Sequence, residues 1–190
     1  MFEPTPLAPF GDLLEAEYPR TGDGIFLNSA AQGILARRTI DAMARFEEGR
    51  AFPNRIDDDV LLEVETTCRE RVARLVAAPT ELVGLGVNTS EGINVAAMHL
   101  PLAPGDRVLV ARGEFPANVY PWLGLARGGI GTVFLDNDGP HLDADRVAQA
   151  LDDDPTIRAV SMSLVQFSNG HRNPVEAVGR ACKERGVFFV

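Results

Sequence analysis

A chain of 190 residues, 45% hydrophobic and 24% charged, has the length for one α/β domain with a substantial core and the composition of a globular protein. Its formal net charge of -9 argues against nonspecific nucleic-acid binding, which needs a basic surface. The opening Met1-Phe2-Glu3-Pro4 carries neither a basic region nor a long apolar run, so we expect no signal peptide, no membrane span and a cytoplasmic location.

Residues 1–24 are rich in Pro and Gly and read as an arm, and Ile25 to Leu27 as a short strand. Leu35 to Glu48 reads as a helix with Leu35, Thr39, Met43 and Phe46 down one side. Val60 to Val76 reads as another, with Leu61, Val64, Cys68, Val72 and Leu75 as its apolar stripe. Asp57-Asp58-Asp59 suits the start of that helix better than a metal site.

From Leu82 onward, strand and helix signals alternate. Strands are expected at 82–87, 107–111, 131–135, 157–164 and 187–190, and helices at 90–99, 117–127, 143–151 and 175–185. Pro104-Gly105-Asp106 and Asn137-Asp138-Gly139-Pro140 mark turns. The strands are continuously apolar, as in a parallel sheet covered on both faces. The domain plan is therefore an arm at 1–24, a helical segment at 25–80 and a βα portion at 81–190.

Cys68 and Cys182 both fall in helical patterns and are expected to pack, with no disulfide framework. His99, His141 and His171 are too dispersed for a metal triad and read as structural or solvated. No Gly-x-Gly-x-x-Gly follows the first expected strand, which argues against a dinucleotide site, and no Gly-Lys-Ser/Thr argues for a nucleoside triphosphate.

The segment with the most chemical content is Asn88-Thr89-Ser90-Glu91-Gly92-Ile93-Asn94, at a strand-to-helix handover. Two hydroxyls and several unpaired amides on a first helical turn, together with the helix dipole, suit a phosphate group. The plainer reading is an ordinary N-cap by Thr89 or Ser90.

Four segments occur in order: Leu27-Asn28-Ser29-Ala30-Ala31, Asn88 to Asn94, Glu114-Phe115-Pro116-Ala117-Asn118 and Gly170-His171-Arg172-Asn173-Pro174-Val175. Together they resemble the class V aminotransferase family. That family includes cysteine desulfurases, selenocysteine lyases, kynureninase and isopenicillin N epimerase-like proteins. The resemblance runs from about Ile25 to Val190. It implies an α/β, fold-type I large domain, here incomplete, with a mostly parallel sheet covered by helices and preceded by an N-terminal arm and helices.

The resemblance further implies pyridoxal 5'-phosphate as cofactor, an amino-acid substrate and a homodimeric parent, with no nucleic-acid or membrane partner. On the family's pattern, the cofactor phosphate falls to Thr89, Ser90 and the amide of Glu91. Phe115 takes the position that stacks on the cofactor ring, where many desulfurases have His, although a core aromatic after a strand would read the same. Gln166 stands where a hydrogen bond to the cofactor's phenolic oxygen or to a substrate carboxylate is made. Asn28, Ala30 and Ala31 match the segment bordering the substrate, with a plain turn an equal reading for Asn28. Phe115 and Gln166 lean toward the kynureninase-like or epimerase-like branches, and the Leu at 164 in place of a common His argues against carrying over a desulfurase mechanism whole.

The family's cofactor-attaching lysine and its pyridine-pairing Asp have no counterpart before Val190, so no catalytic residue is assigned in this chain. Lys183, its one lysine, reads as a solvated helix-end residue. The chain is thus expected to be the N-terminal half of such an enzyme. The alternative is a non-catalytic remnant that binds a phosphate ligand or a protein. In either case the 82–87 strand would lack its neighbours in the sheet, the strand at 187–190 would be an open edge, and the isolated chain would tend to aggregate.

Overall fold

Arg107-Val108-Leu109-Val110-Ala111 has no polar side chain after its first residue, which suits a strand buried on both faces. In the computed structural model it is β1 (Arg107–Ala111), one of the two inner strands of a four-stranded sheet. The structure describes residues 11–18, 26–52, 54, 56–136 and 143–190. The expected strand start at Ile25, most of the arm, the 137–140 turn and His141 lie outside them. The described residues form two units, one ending at Gly84 and the other beginning at Leu85.

The second unit contains the sheet. Its strands are β1, β2 (Gly131–Leu135), β3 (Ile157–Ser161) and β4 (Phe188–Phe189), in the order β2-β1-β3-β4. All pairings are parallel, with Leu109 opposite Val133 on one side and Val160 on the other, and Val160 opposite Phe189. The ladder runs on past β4 through Val190 N–H to Val160 O at 2.9 Å and Met162 N–H to Val190 O at 3.0 Å. β4 is the outer strand on its side, the open edge expected from the sequence.

Alternation along β1 sends its side chains to two cores. Leu109 and Ala111 pack with Val147, Leu151, Ile157, Val160, Val178 and Cys182, under α6 (Ala144–Asp153) and α7 (Val175–Glu184). Val108 and Val110 pack with Ala97, Trp122 and Ala159, under α4 (Thr89–His99) and α5 (Tyr120–Gly124). Asp143 caps α6 by accepting the Asp145 amide at 3.0 Å. Arg185, just past α7, clamps Asp152 of α6 with Nε–Oδ1 2.7 Å and Nη2–Oδ2 2.9 Å, which holds the Asp152 carboxyl below its ordinary range.

Four expectations need correction. Residues 82–87 form no strand: a 3-10 turn covers Thr80–Leu82 and irregular chain follows, because no strand in the described sheet is available to pair with them. The expected helix at 117–127 breaks into a 3-10 turn (Pro116–Asn118), the short α5 and a second 3-10 turn (Leu125–Gly128). Pro116 and Pro121 have no N–H to donate to a continuous helix, and Gly124 lowers helix propensity there. The strand expected at 157–164 ends at Ser161, where its pairing with β1 runs out at Val110. The chain then makes an excursion held by an antiparallel bridge between Val165 and Arg172. Phe26 and Leu27 are not in a strand.

The first unit is helical: α1 (Gly11–Glu17), α2 (Arg37–Arg50) and α3 (Asp58–Val76). Asp57 caps α3 by accepting the Asp59 amide at 3.3 Å, as its acidic run led us to expect. Arg69 ties α3 to the following turn through Val83 O at 3.0 Å and Thr80 O at 3.4 Å. The apolar stripe is present on α3, but Leu61, Val64 and Leu75 stand exposed and only Ala73 of that helix is buried. Cys68 shares this exposure, against the expectation that it packs, whereas Cys182 is buried as expected.

Two outcomes follow from this distribution. In urea unfolding, Leu109→Ala, at a site 1% exposed, should cost about 2–5 kcal/mol. Leu75→Ala, at 85% exposure, should change stability by no more than about 0.5 kcal/mol, and an equal loss at both sites would refute this assignment of the core. Burial pushes the Cys182 thiol up to about 11. Iodoacetamide near pH ~8 should therefore alkylate Cys68 in the native chain and reach Cys182 only on unfolding, as mass spectrometry of the peptides would report.

Candidate functional site

Ligands of open parallel sheets bind beyond the carboxyl ends of the strands, where loops leave the sheet and helix N-termini point inward. Here the chain leaves β1 through Gly113, whose φ of 86° is open to glycine at little cost, and enters Glu114-Phe115-Pro116-Ala117-Asn118. It leaves β3 through Met162, Ser163 and Leu164 and reaches Gln166.

Buried polar groups join these two exits. Glu114 is 6% exposed, and its carboxylate accepts both the Ser163 amide (2.8 Å) and the Ser163 hydroxyl (2.6 Å). The Ser163 carbonyl accepts Nδ2 of Asn173 at 2.7 Å, and the Asn173 amide donates to Leu164 O at 2.8 Å. Ser161, the last residue of β3, donates its hydroxyl to Asn118 Oδ1 at 2.5 Å. These five residues hold the loops after β1 and β3 together. Only Glu114, Asn118 and Asn173 lie in segments that had drawn attention in the sequence.

The loop after β1 carries Phe115 to the surface, half exposed, with its ring edge-to-face against Phe167 (centroids 5.2 Å apart, planes at 81°). Gln166 is buried, donates its backbone N–H to His171 O at 2.8 Å and accepts the Phe167 backbone N–H on Oε1 at 3.2 Å. It thus sits one loop beyond the strand end, still on the carboxyl side of the sheet.

α4 begins where expected. Asn88, rather than Thr89 or Ser90, is the cap: its Oδ1 accepts the Glu91 amide at 2.9 Å. The Glu91 carboxylate turns back and accepts the Val87 amide at 2.7 Å. The Glu91 amide is therefore already used in the cap, while among the described residues the Thr89 and Ser90 amides donate to no one. Two free amides and two hydroxyls are left at the positive end of an eleven-residue helix. A cleft of about 440 Å³ opens beside Ser90, lined by Ser90, Asn94, Phe115, Pro116, Tyr120 and Pro121 among others. Asn94 is held in that wall by donating to Ser90 O at 2.7 Å.

The structure brings Ser90 and Phe115 to one cleft and leaves Gln166 and Phe167 on the adjoining loop. Asn28, Ala30 and Ala31 belong to the first unit, where Asn28 O accepts the amides of Ala31 (3.1 Å) and Gln32 (3.3 Å) in an exposed turn. His99 bonds Val95 O through Nδ1 at 2.9 Å on its own helix. No cluster able to hold a metal ion occurs among the described residues, and no helix among them is long and apolar enough to cross a membrane.

A family profile described as aminotransferase class-V matches residues 25–190. The chain belongs to the class V aminotransferase family. It is 27% identical over 179 residues to a probable cysteine desulfurase of Methanothermobacter thermautotrophicus, covering 92% of this chain and 44% of that protein. It is 29% identical over 165 residues to the cysteine desulfurase CsdA of Escherichia coli, covering 81% of this chain and 40% of that one. The crystal structure of CsdA in its S-sulfonic acid form shares the fold, with a TM-score of 0.80 at 24% identity over 94% of this chain and 47% of the other. The chain thus spans less than half the length of these relatives.

Proposed function

We propose that this class V chain forms the phosphate-gripping and ring-covering part of a pyridoxal 5'-phosphate-dependent enzyme that acts on an amino acid. The observation that carries the reading is the pair of undonated amides on Thr89 and Ser90 at the start of α4, with Ser90 lining a cleft that the exposed ring of Phe115 also lines. The residues fit the cofactor in kind: donors for a dianionic phosphate, a cleft of small-molecule size and a flat apolar face for the ring.

In this reading Thr89 and Ser90 bind the phosphate through amides and hydroxyls. The Glu91 amide, expected from the family pattern to help, is committed to Asn88, and the Glu91 carboxylate is engaged by the Val87 amide, so neither group of Glu91 is assigned to the phosphate. Phe115 covers one face of the ring and excludes water from it, but has no proton to give or take. Gln166, with its carbonyl oxygen engaged by Phe167, keeps its NH₂ as a donor for an oxygen of the cofactor or of the substrate's carboxylate. The chemistry supplied by a bound pyridoxal ring is an electron sink for the substrate's α-carbon. Lys183 is exposed near the end of α7 and takes no part.

Cysteine desulfurases among the relatives make L-cysteine the first amino acid to test, even though Phe115 and Gln166 lean toward other branches. A homodimeric whole protein belongs to the same reading, supported by the exposed apolar side chains of α3. The two free cysteines fit a reducing compartment, and we assign the cytoplasm.

Ser90→Ala should weaken retention of pyridoxal 5'-phosphate by about 1.5–3 kcal/mol, the worth of a hydrogen bond to a charged group, in equilibrium dialysis. Borohydride reduction in the cofactor's presence should leave no stoichiometric pyridoxyl group on Lys183. Unchanged retention in the variant, or specific labelling of Lys183, would refute the assignment.

A further inference from the structure

Phe115 and Phe167 come from different loops, one after β1 and one after β3, yet their rings meet edge-to-face at 5.2 Å. Both rings are about half exposed, so neither is held by a core around it. Their meeting depends on the loops, and residue 114, immediately before Phe115, is bonded to Ser163, four residues before Phe167. Phe115 lines the cleft beside Ser90, and Phe167 is not among the residues that line it.

We propose that Phe167 is a positioning residue: it fixes the ring plane of Phe115 so that a flat heteroaromatic ligand anchored by its phosphate at Thr89 and Ser90 meets a pre-set stacking face. The proposal rests on the cofactor reading given above and extends it to a residue outside that reading. The physical reason is entropic and geometric. A half-exposed Phe ring samples several rotamers, and stacking a ligand on it means losing that freedom. An edge-to-face neighbour confines the ring before the ligand arrives. The same contact leaves the helix-end donors untouched, because no described hydrogen bond or ring contact links Phe167 to Thr89 or Ser90. The ring and phosphate parts of binding should therefore respond separately.

The test uses the full chain with two probes, inorganic phosphate and pyridoxine 5'-phosphate, which carries the ring and phosphate but no aldehyde to react with amines. Dissociation constants are measured by calorimetry for wild type, Phe167→Leu, Phe167→Met, Phe167→Tyr and Ser90→Ala, with thermal unfolding to verify folding. Phe167→Leu should bind pyridoxine 5'-phosphate roughly 2- to 12-fold more weakly, the range of one aromatic pair, with phosphate affinity unchanged. The induced circular dichroism of the bound ring should fall with it. Phe167→Tyr, which keeps the ring, should match wild type, and Phe167→Met reports in place of the Leu variant if that one unfolds. Equal binding of pyridoxine 5'-phosphate by wild type and the Leu and Met variants overturns the proposal, as does an equal loss for both probes. Failure of wild type to bind either probe, or indifference to Ser90→Ala, overturns the cofactor reading and this proposal with it.

Discussion

The carboxylate of Glu114 lies almost wholly inside the protein, and among the described residues no arginine or lysine meets it. One residue, Ser163, satisfies it through an amide and a hydroxyl. A buried carboxylate left without such donors is costly, so the two groups constrain each other and, with them, the loops they belong to. That constraint spans 49 residues of sequence and joins the exits of the two inner strands. Phe115 stands on one side of it, and Phe167 and Gln166 on the other. Ser161 bonding Asn118 repeats the tie between the two exits, and Asn173 bonding the Ser163 carbonyl secures the connection after β3 within itself.

The second element of the site is local by contrast. Asn88 and Glu91 settle the start of α4 within four residues of chain, and by doing so they decide which amides remain. The cap consumes the amide at 91 and leaves those at 89 and 90. A phosphate site and a capped helix are therefore not rival readings of this segment. The cap is what confines the free donors to Thr89 and Ser90.

What was legible in the sequence divides along the same line. The helix read at 90–99, the acidic helix start at Asp57, and the apolar strands at 107–111 and 131–135 are written in neighbouring residues, and the structure has them. The parallel sheet followed from strands without polar alternation. The 82–87 segment, expected to lack its neighbours in the sheet, is not a strand at all, because an apolar run becomes a strand only if another strand pairs with it, and no such partner is present in the described sheet. The strand read at 157–164 stops at Ser161, five residues before Gln166, since strand length is set by the neighbour and not by the run itself. The Glu114–Ser163 bond was out of reach for the same reason: nothing local to either residue names the other. On α3, amphipathicity was read correctly, but a stripe on a helix does not say whether it is covered, and Leu61, Val64 and Leu75 are not.

The central claim is that the open amides of α4 and the aromatic pair beyond β1 and β3 form one site for a phosphorylated ring. Nitrogen-15 labelled chain titrated with pyridoxine 5'-phosphate tests this residue by residue. The account predicts that the amide resonances of Thr89 and Ser90 shift the most, with Phe115 and Phe167 moving at the same ligand concentration and the Glu91 amide, held by Asn88, moving less. Shifts confined to other parts of the chain, or Thr89 and Ser90 responding while Phe115 stays still, would contradict it.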